Sequence, residues 1–328
     1  METCPLAAPD DVKRDLRLFL PELPSRSTAE VEYSVMADRR GVHRFPPLSL
    51  ASRAPFGLFR RAGQAGEPQS VLVYPELRPL RRLDLLDRQP ALALVTAHPG
   101  LGAEVMGVRP FRSGDSPRHI HWRSVARTGQ LISKEFTDET SPGLALVLDT
   151  RRYPYARADS KHTPFEWAVK IALSLGDYAL KRGYPLTIVA DDSALAAPPG
   201  PISRRALLEY LARVQPQGAR PAADVIADAA RSPNRFAAVM LSWPDPDAIA
   251  PLLALRAGGA EVLAVLLEAE SFPGGGPSAR SLEGALRAGG VDARLVRFGE
   301  DWVEGLEGAS PFPEFAGQEA RAGIARAA

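Results

Sequence analysis

The segment from Arg109 to Phe136 holds the densest set of residues that could carry out chemistry. It places two histidines and an aspartate among basic and aromatic side chains. His119 and His121 are two positions apart, so in an extended strand both imidazoles would point to the same side. With Asp115 they would supply the three protein ligands that a catalytic zinc ion needs. One hypothesis is therefore a metal-dependent hydrolase that uses these three residues.

The same segment supports two other interpretations. Its basic residues are Arg109, Arg112, Arg118, Arg123, Arg127 and Lys134. With the Trp122 ring for stacking, they could bind an anion or a nucleic acid. Alternatively, Arg109, Arg118 and Asp115 form a hydrogen-bonded ion network at a domain junction, with Trp122 as a packing anchor, because arginine suits paired, bidentate contacts. We favour this structural interpretation, since so many positively charged side chains close together oppose a bound metal cation.

Composition and charge restrict the class of protein. The chain has 328 residues, 45% of them hydrophobic and 24% charged, which is typical of a globular protein of about two domains. Forty basic and 39 acidic residues give a net charge of +1, so the chain has no general attraction to nucleic acid. Cys4 is the single cysteine, which excludes an internal disulfide and a cysteine-built zinc site. No apolar run reaches the ~18 residues of a membrane span, and we expect a soluble, cytoplasmic protein.

The elements that would position these residues differ between the two halves of the chain. The first ~75 residues contain short extended segments. Thr28–Met36, in which Val31, Tyr33 and Val35 alternate with polar residues, predicts a half-buried strand, and Val71–Tyr74 predicts another. We expect an antiparallel β region there.

From residue 143 onwards, apolar runs of strand length alternate with helical patterns, which is typical of an open, mostly parallel α/β sheet. The predicted strands are Leu144–Leu148, Leu186–Ala190, Phe236–Leu241, Val262–Leu267 and Ala293–Val296. The predicted helices are Phe165–Arg182, Arg204–Val214, Ala222–Arg231, Asp247–Ala257 and Ser281–Ala288. The predicted regions are a partial β-sandwich-like region (1–100), a junction segment (101–142), an α/β domain (143–300) and a loose tail (301–328).

The run from Gly107 to Phe136 resembles the signature of the bacterial domain-of-unknown-function family number 58. The matching residues are Arg109, Phe111, Gly114, Asp115, Arg118, Ile120, His121, Trp122, Ala126, Arg127, Gly129, Leu131, Lys134 and Phe136. Upstream, Arg40-Gly41, Phe56-Gly57-Leu58 and Val73-Tyr74-Pro75 also resemble family segments. The resemblance covers roughly residues 15–245 and implies a β-sandwich-like region followed by a von Willebrand factor A-like α/β domain, which agrees with the pattern of elements.

The resemblance also implies a function and partners. Members are expected to act without catalysis, as adaptors or assembly factors beside a MoxR-type AAA+ ATPase, often near a transglutaminase-like membrane protein. The signature residues expected at the domain junction are Arg109, Gly114, Asp115, Arg118, His121, Trp122 and Arg127. Members usually begin with membrane helices that this sequence lacks, so the protein would be cytoplasmic or peripheral to the inner membrane.

A von Willebrand factor A-like domain binds Mg²⁺ through the motif D-x-S-x-S after its first strand. Here Asp149 is present, but Arg151 and Tyr153 stand at the serine positions. This loop is therefore degenerate, and we expect no cofactor or at most Mg²⁺, held by oxygen ligands. The candidate ligands at strand ends are Asp149, Thr150, Asp191, Asp192, Ser242 and Asp245. In the alternative interpretation, Asp149 caps the segment that follows it and pairs with a neighbouring arginine.

Overall fold

The computed structural model describes residues 2–5, 15–20, 26–53, 56–87, 105–111, 120–136, 143–153, 161–191, 195–231 and 234–308. The strands, in chain order, are β1 (Glu2–Pro5), β2 (Asp15–Leu18), β3 (Gly41–Phe45), β4 (Leu48–Ser52), β5 (Arg61–Ala65), β6 (Gln69–Val73), β7 (Val105–Pro110), β8 (Ile132–Phe136), β9 (Leu144–Leu148), β10 (Leu186–Ala190), β11 (Phe236–Leu241), β12 (Glu261–Leu267) and β13 (Asp292–Val296). The α-helices are α1 (Asp84–Asp87), α2 (Trp122–Thr128), α3 (Pro164–Lys181), α4 (Arg204–Arg213), α5 (Ala222–Ala229), α6 (Ile249–Ala257), α7 (Arg280–Ala288) and α8 (Trp302–Glu307). Short 3₁₀ turns cover Pro246–Ala248 and Ala269–Ser271.

The centre of the molecule is a parallel sheet of five strands in the order β10-β9-β11-β12-β13. The middle strands β9 and β11 are buried along their whole length. Such continuous apolar runs are expected where helices cover both faces of a sheet. The predicted open parallel α/β sheet is confirmed, and three of its strands have the predicted bounds.

Helices cover both faces of this sheet. Helices α3, α4 and α8 pack on one face, and α5, α6 and α7 pack on the other. Successive residues of β9 therefore enter different cores: Leu146 contributes to the first core and Val147 to the second. The result is a three-layer α/β/α unit.

Helix α3 is the longest helix of the described residues and lies against the middle of the sheet. Thr163 caps its first turn by accepting a hydrogen bond from the Glu166 N–H at 3.2 Å. At Gly176 a Cβ would lie 2.7 Å from Leu207 and 3.0 Å from Leu146. This glycine therefore lets α3 approach both α4 and the sheet closely.

A segment that we call the strap (residues 76–87) crosses the face made by α3 and α8. Its leucines at positions 80, 83, 85 and 86 are buried in the same core as α3. Polar contacts fix both of its ends. Glu76 pairs with Lys170 at 2.8 Å, and Asp87 accepts a hydrogen bond from the Tyr178 hydroxyl at 2.7 Å. The strap was expected within the N-terminal β region, but it belongs to the core of the α/β unit.

The N-terminal part contains a small antiparallel sheet in the order β2-β1-β4-β5 and a separate pair, β3 and β6. The prediction of a strand over Thr28–Met36 is wrong, because residues 27–40 form no strand. Val31, Tyr33 and Val35 are exposed there. Their alternation would favour a strand only with a partner strand or a core face beside it.

Arg40 attaches the β3–β6 pair to the α/β unit. Its buried guanidinium donates to the carbonyl oxygens of Leu211 (2.8 Å) and Val214 and forms an ion pair with Glu166. It also lies 5.4 Å above the Phe165 ring. A cation at this place satisfies carbonyl groups at the end of α4, where the helix dipole is negative. Arg40 thus joins the β region to α3 and α4 at once.

The signature segment forms a hairpin of its own. Strands β7 and β8 pair antiparallel, and α2 lies between them in the chain and contacts β8. The Ile120–Ser133 bridge and a 2.8 Å hydrogen bond from the His121 N–H to the Ile132 carbonyl extend this pairing.

The chain remains ordered beyond the predicted end of the α/β domain. Where a loose tail was expected from residue 301, Asp301 caps α8 and the side chains of Trp302 and Leu306 are buried against the sheet. Within the described residues, no helix combines the length and apolarity needed to cross a membrane.

Candidate functional site

The strand order produces a crevice at the carboxyl edge of the parallel sheet. The chain leaves β9 towards β10 on one side and later returns to β11 on the other side. At such a reversal the connections diverge, and open α/β sheets bind ligands there. Asp149 and Thr150 follow β9, and Ser242 follows β11. The structure therefore brings these predicted residues together.

Asp149 is the buried acid of this edge, with 3% of its surface exposed. Its carboxylate accepts hydrogen bonds from the Arg151 N–H at 3.1 Å and from the Ser242 hydroxyl at 3.4 Å. Burial raises the pKa of Asp149 from 3.8 to about 6, and the nearby Asp245 charge adds to this rise. The hydrogen bonds from Arg151, Tyr153 and Ser242 oppose it. Asp149 thus caps the turn that follows it through the Arg151 backbone N–H, whereas pairing with an arginine side chain stays a prediction.

The two positions where the metal motif would place serines hold a stacked pair instead. The Arg151 guanidinium lies 5.7 Å above the Tyr153 ring, which stacks on Trp243 with centroids 5.3 Å apart and an 11° angle between planes. Burial and the neighbouring Asp149 charge raise the pKa of the Tyr153 hydroxyl. The loop after β9 therefore offers a cation and aromatic rings beside Asp149.

Thr150 and Asp191 connect the ends of β9 and β10 to the loop between α4 and α5. The Thr150 hydroxyl donates to the Asp191 carbonyl oxygen, and the Gly218 N–H donates to the Thr150 carbonyl at 2.8 Å. The Asp191 carboxylate accepts the N–H groups of Ala219 (3.0 Å) and Arg220 (2.8 Å). These contacts fix the shape of the edge.

We expect Gly218→Ala to lower the free energy of unfolding by about 1–3 kcal/mol, the usual cost of forcing extra atoms into a packed site. A Cβ at Gly218 would lie 2.2 Å from the Asp191 carbonyl oxygen and 2.5 Å from the Thr150 hydroxyl, so the loop must shift. Urea denaturation measures the change. The matched control is Gly284→Ala on the exposed side of α7, where a Cβ meets nothing within 4 Å; the same loss there would contradict this explanation.

A magnesium ion takes oxygen ligands in near-octahedral geometry, and the described candidate ligands are hydrogen-bonded to neighbouring groups. Asp149, Thr150 and Asp191 are engaged as described, and the Asp245 carboxylate caps a 3₁₀ turn through the Asp247 N–H at 3.0 Å. Among the described residues, no three His, Cys, Asp or Glu side chains are grouped so that they could hold a metal ion. Asp192 lies outside the described residues.

The structure gives a partial view of the signature residues. Gly114, Asp115, Arg118 and His119 lie outside the described residues, and Arg109 is described only as backbone of β7. The zinc and ion-network hypotheses depend on them and stay predictions. His121 precedes α2 and its Nδ1 lies 2.7 Å from the Ser124 hydroxyl.

Trp122 was expected to be a packing anchor, and that expectation is wrong. It begins α2 with 65% of its surface exposed, because this short helix buries no residue of its own. Arg123 and Arg127 are also exposed on α2. Binding of an anion or nucleic acid by this helix stays a hypothesis.

Comparison with protein families finds a match to the family model described as "Protein of unknown function DUF58" over residues 107–270, which is half of the chain. The matched range contains the signature hairpin, strands β9 to β12 and the loops around Asp149. No curated protein and no solved structure matches the chain.

Proposed function

Because the chain belongs to the DUF58 family, whose function is unknown, we propose that it is a non-enzymatic adaptor that presents the carboxyl edge of its α/β unit to a MoxR-type AAA+ ATPase. The resemblance of the signature to that family suggests this partner, together with a transglutaminase-like membrane protein. A von Willebrand factor A-like architecture is part of the proposal. The parallel sheet and the position of Asp149 after β9 support it.

The observation that carries the proposal is how the edge uses its polar groups. The acids and hydroxyls that could perform metal chemistry are hydrogen-bonded to neighbouring loops and cap the turns there. The exposed groups of the edge include the side chains of Arg151 and Arg152, and Trp243 nearby is half-buried. Arginine and tryptophan contribute most strongly to the energy of protein interfaces. The edge is therefore better suited to recognition than to catalysis.

Arg151 and Arg152 also suggest the chemistry of the contacting surface. Two adjacent exposed guanidinium groups favour a partner that presents carboxylates, to which arginine can form two parallel hydrogen bonds. Since the partner needs ATP, the proposal places the encounter in the cytoplasm.

We expect the double variant Arg151→Ala/Arg152→Ala to weaken binding to the MoxR-type ATPase of the same genome at least about tenfold, or ~1.4 kcal/mol. Titration calorimetry of the full chain, without nucleotide, measures the dissociation constant. The control is Arg256→Ala, an exposed arginine in the last turn of α6, at the opposite edge of the sheet. It should bind like the wild type.

Two results would overturn the proposal. One is the absence of a complex at low salt with correctly folded wild-type protein. The other is equal affinity for the double variant and the wild type, which would move the contact away from this edge. The same titration in EDTA tests whether binding depends on a metal ion. If binding disappears in EDTA, the edge recruits a divalent cation.

A further inference from the structure

Exposed apolar side chains are concentrated in the N-terminal β region. Of the thirteen large hydrophobic side chains that are exposed among the described residues, eleven lie between Phe19 and Tyr74. Scattered exposed apolar residues are ordinary, whereas a concentration of them marks a surface that another body covers. The densest group lies at the connection between β4 and β5.

This connection presents three large apolar side chains at its tip. Phe56, Leu58 and Phe59 expose 92%, 75% and 72% of their surfaces. Phe56 and Gly57 both have left-handed backbone angles, with φ of 58° and 72°, and the Gly57 N–H closes the turn by donating to the Arg53 carbonyl at 2.8 Å. A left-handed angle is unfavourable for a non-glycine residue such as Phe56. The turn is thus held in a shape that projects its apolar side chains outwards.

The charged residues that flank the tip along the chain have one sign. Residues 41–66 contain four arginines and neither aspartate nor glutamate. Arg53 precedes the tip, and Arg60 and Arg61 follow it. Arginine places its alkyl part along apolar surface and its guanidinium in a polar layer. At an anionic bilayer surface, a layer of phosphates covers the acyl chains. An apolar tip with arginines at its base matches this arrangement, with the apolar side chains towards the acyl chains and the arginines at the phosphates.

We propose that the β4–β5 tip, made of Arg53 and residues 56–61, inserts into the surface of a membrane that contains anionic phospholipid. Phe56, Leu58 and Phe59 enter the boundary between head groups and acyl chains, and Arg53, Arg60 and Arg61 contact the phosphates. The high exposure of these three side chains favours a bilayer over a protein, because a bilayer receives a protruding turn without a complementary pocket. The inference is independent of the proposed partner and does not involve the carboxyl edge.

Co-sedimentation of the full chain with vesicles tests this inference. We expect binding to vesicles of phosphatidylcholine mixed with phosphatidylglycerol, weaker binding to phosphatidylcholine alone, and a decrease with salt. The triple variant Phe56→Ser/Leu58→Ser/Phe59→Ser should lose at least about tenfold in partitioning, because it removes the apolar surface that enters the membrane. Arg60→Gln/Arg61→Gln should reduce the preference for the anionic vesicles.

Trp122→Ser, an exposed aromatic residue far along the chain on α2, is the matched control and should bind like the wild type. Thermal unfolding of every variant establishes that it folds. The inference is overturned if wild-type protein does not bind the anionic vesicles at low salt or prefers neither lipid, or if the triple variant binds as well as the wild type. It is also overturned if the triple variant leaves vesicle binding unchanged and instead changes the molar mass measured by light scattering. That result would make the tip a contact between copies of the chain.

Discussion

Replacing Arg40 by methionine will lower the free energy of unfolding by about 3–5 kcal/mol, as expected when one partner of a buried ion pair is removed. Methionine keeps most of the packing volume against Phe165 but removes the hydrogen bonds to Leu211 and Val214. It also leaves Glu166 without its partner. The β3–β6 pair would lose its attachment to α3 and α4.

Urea denaturation, followed by circular dichroism, measures this loss. Arg40→Lys is the informative companion. Lysine retains the charge but lacks the planar guanidinium that reaches two carbonyl oxygens and a carboxylate at once, so we expect an intermediate loss of stability. Arg44→Met, at an exposed position of β3, the strand that follows Arg40, should change stability by no more than about 0.5 kcal/mol. Equal effects of Arg40→Met and Arg44→Met would show that Arg40 does not anchor the β region.

Replacing Asp149 by asparagine will stabilise the protein above neutral pH by up to about 3 kcal/mol, because each unit of a pKa difference corresponds to ~1.4 kcal/mol. Burial holds the pKa of Asp149 at about 6, so its ionised form is disfavoured in the folded chain. Asparagine has no charge to bury. Its oxygen can still accept the Arg151 N–H, and its amide can donate to the hydroxyl of Ser242.

The pH dependence of this effect has a definite sign. The pKa of Asp149 is higher in the folded chain than its ordinary value of 3.8. Below that value both states are protonated and no penalty exists. Between pH 3.8 and about 6 the unfolded chain is ionised while the folded chain still holds its proton, so the folded chain loses stability relative to the variant over this range, and the difference is constant above it. The two proteins should therefore differ little near pH 4 and most near pH 8. Urea denaturation at both pH values measures this, and Asp38→Asn at an exposed position is the control. A constant difference would contradict burial as the cause.

The parallel sheet could be predicted because its signal is local and repeated. Runs such as Leu144–Leu148 and Phe236–Leu241 are apolar throughout, and in a sheet covered on both faces every residue of a central strand is buried. The same logic placed Asp149 and Ser242 at the strand ends, and the structure brings their side chains within 3.4 Å.

What could not be predicted depends on contacts between distant parts of the chain. Arg40 meets Leu211 across 171 positions, and no local pattern distinguishes it from Arg39 or Arg44. Gly218 differs from other glycines only through its contact with Asp191 and Thr150. For Trp122 the local character was misleading. An aromatic side chain favours burial, but the short helix that carries Trp122 provides no core for it to enter.

The strap also determines the order in which the polypeptide can reach its final state during synthesis. Arg78 pairs with Asp301, 223 positions later, and the Arg81 N–H donates to Glu307, 226 positions later. The ribosome therefore releases the buried leucines of the strap long before their last neighbours exist. Contacts of such sequence separation form slowly, and nascent chains expose apolar surface while they wait. Closure of the strap over α8 is therefore a late event of biogenesis, because it needs Asp301 and Glu307.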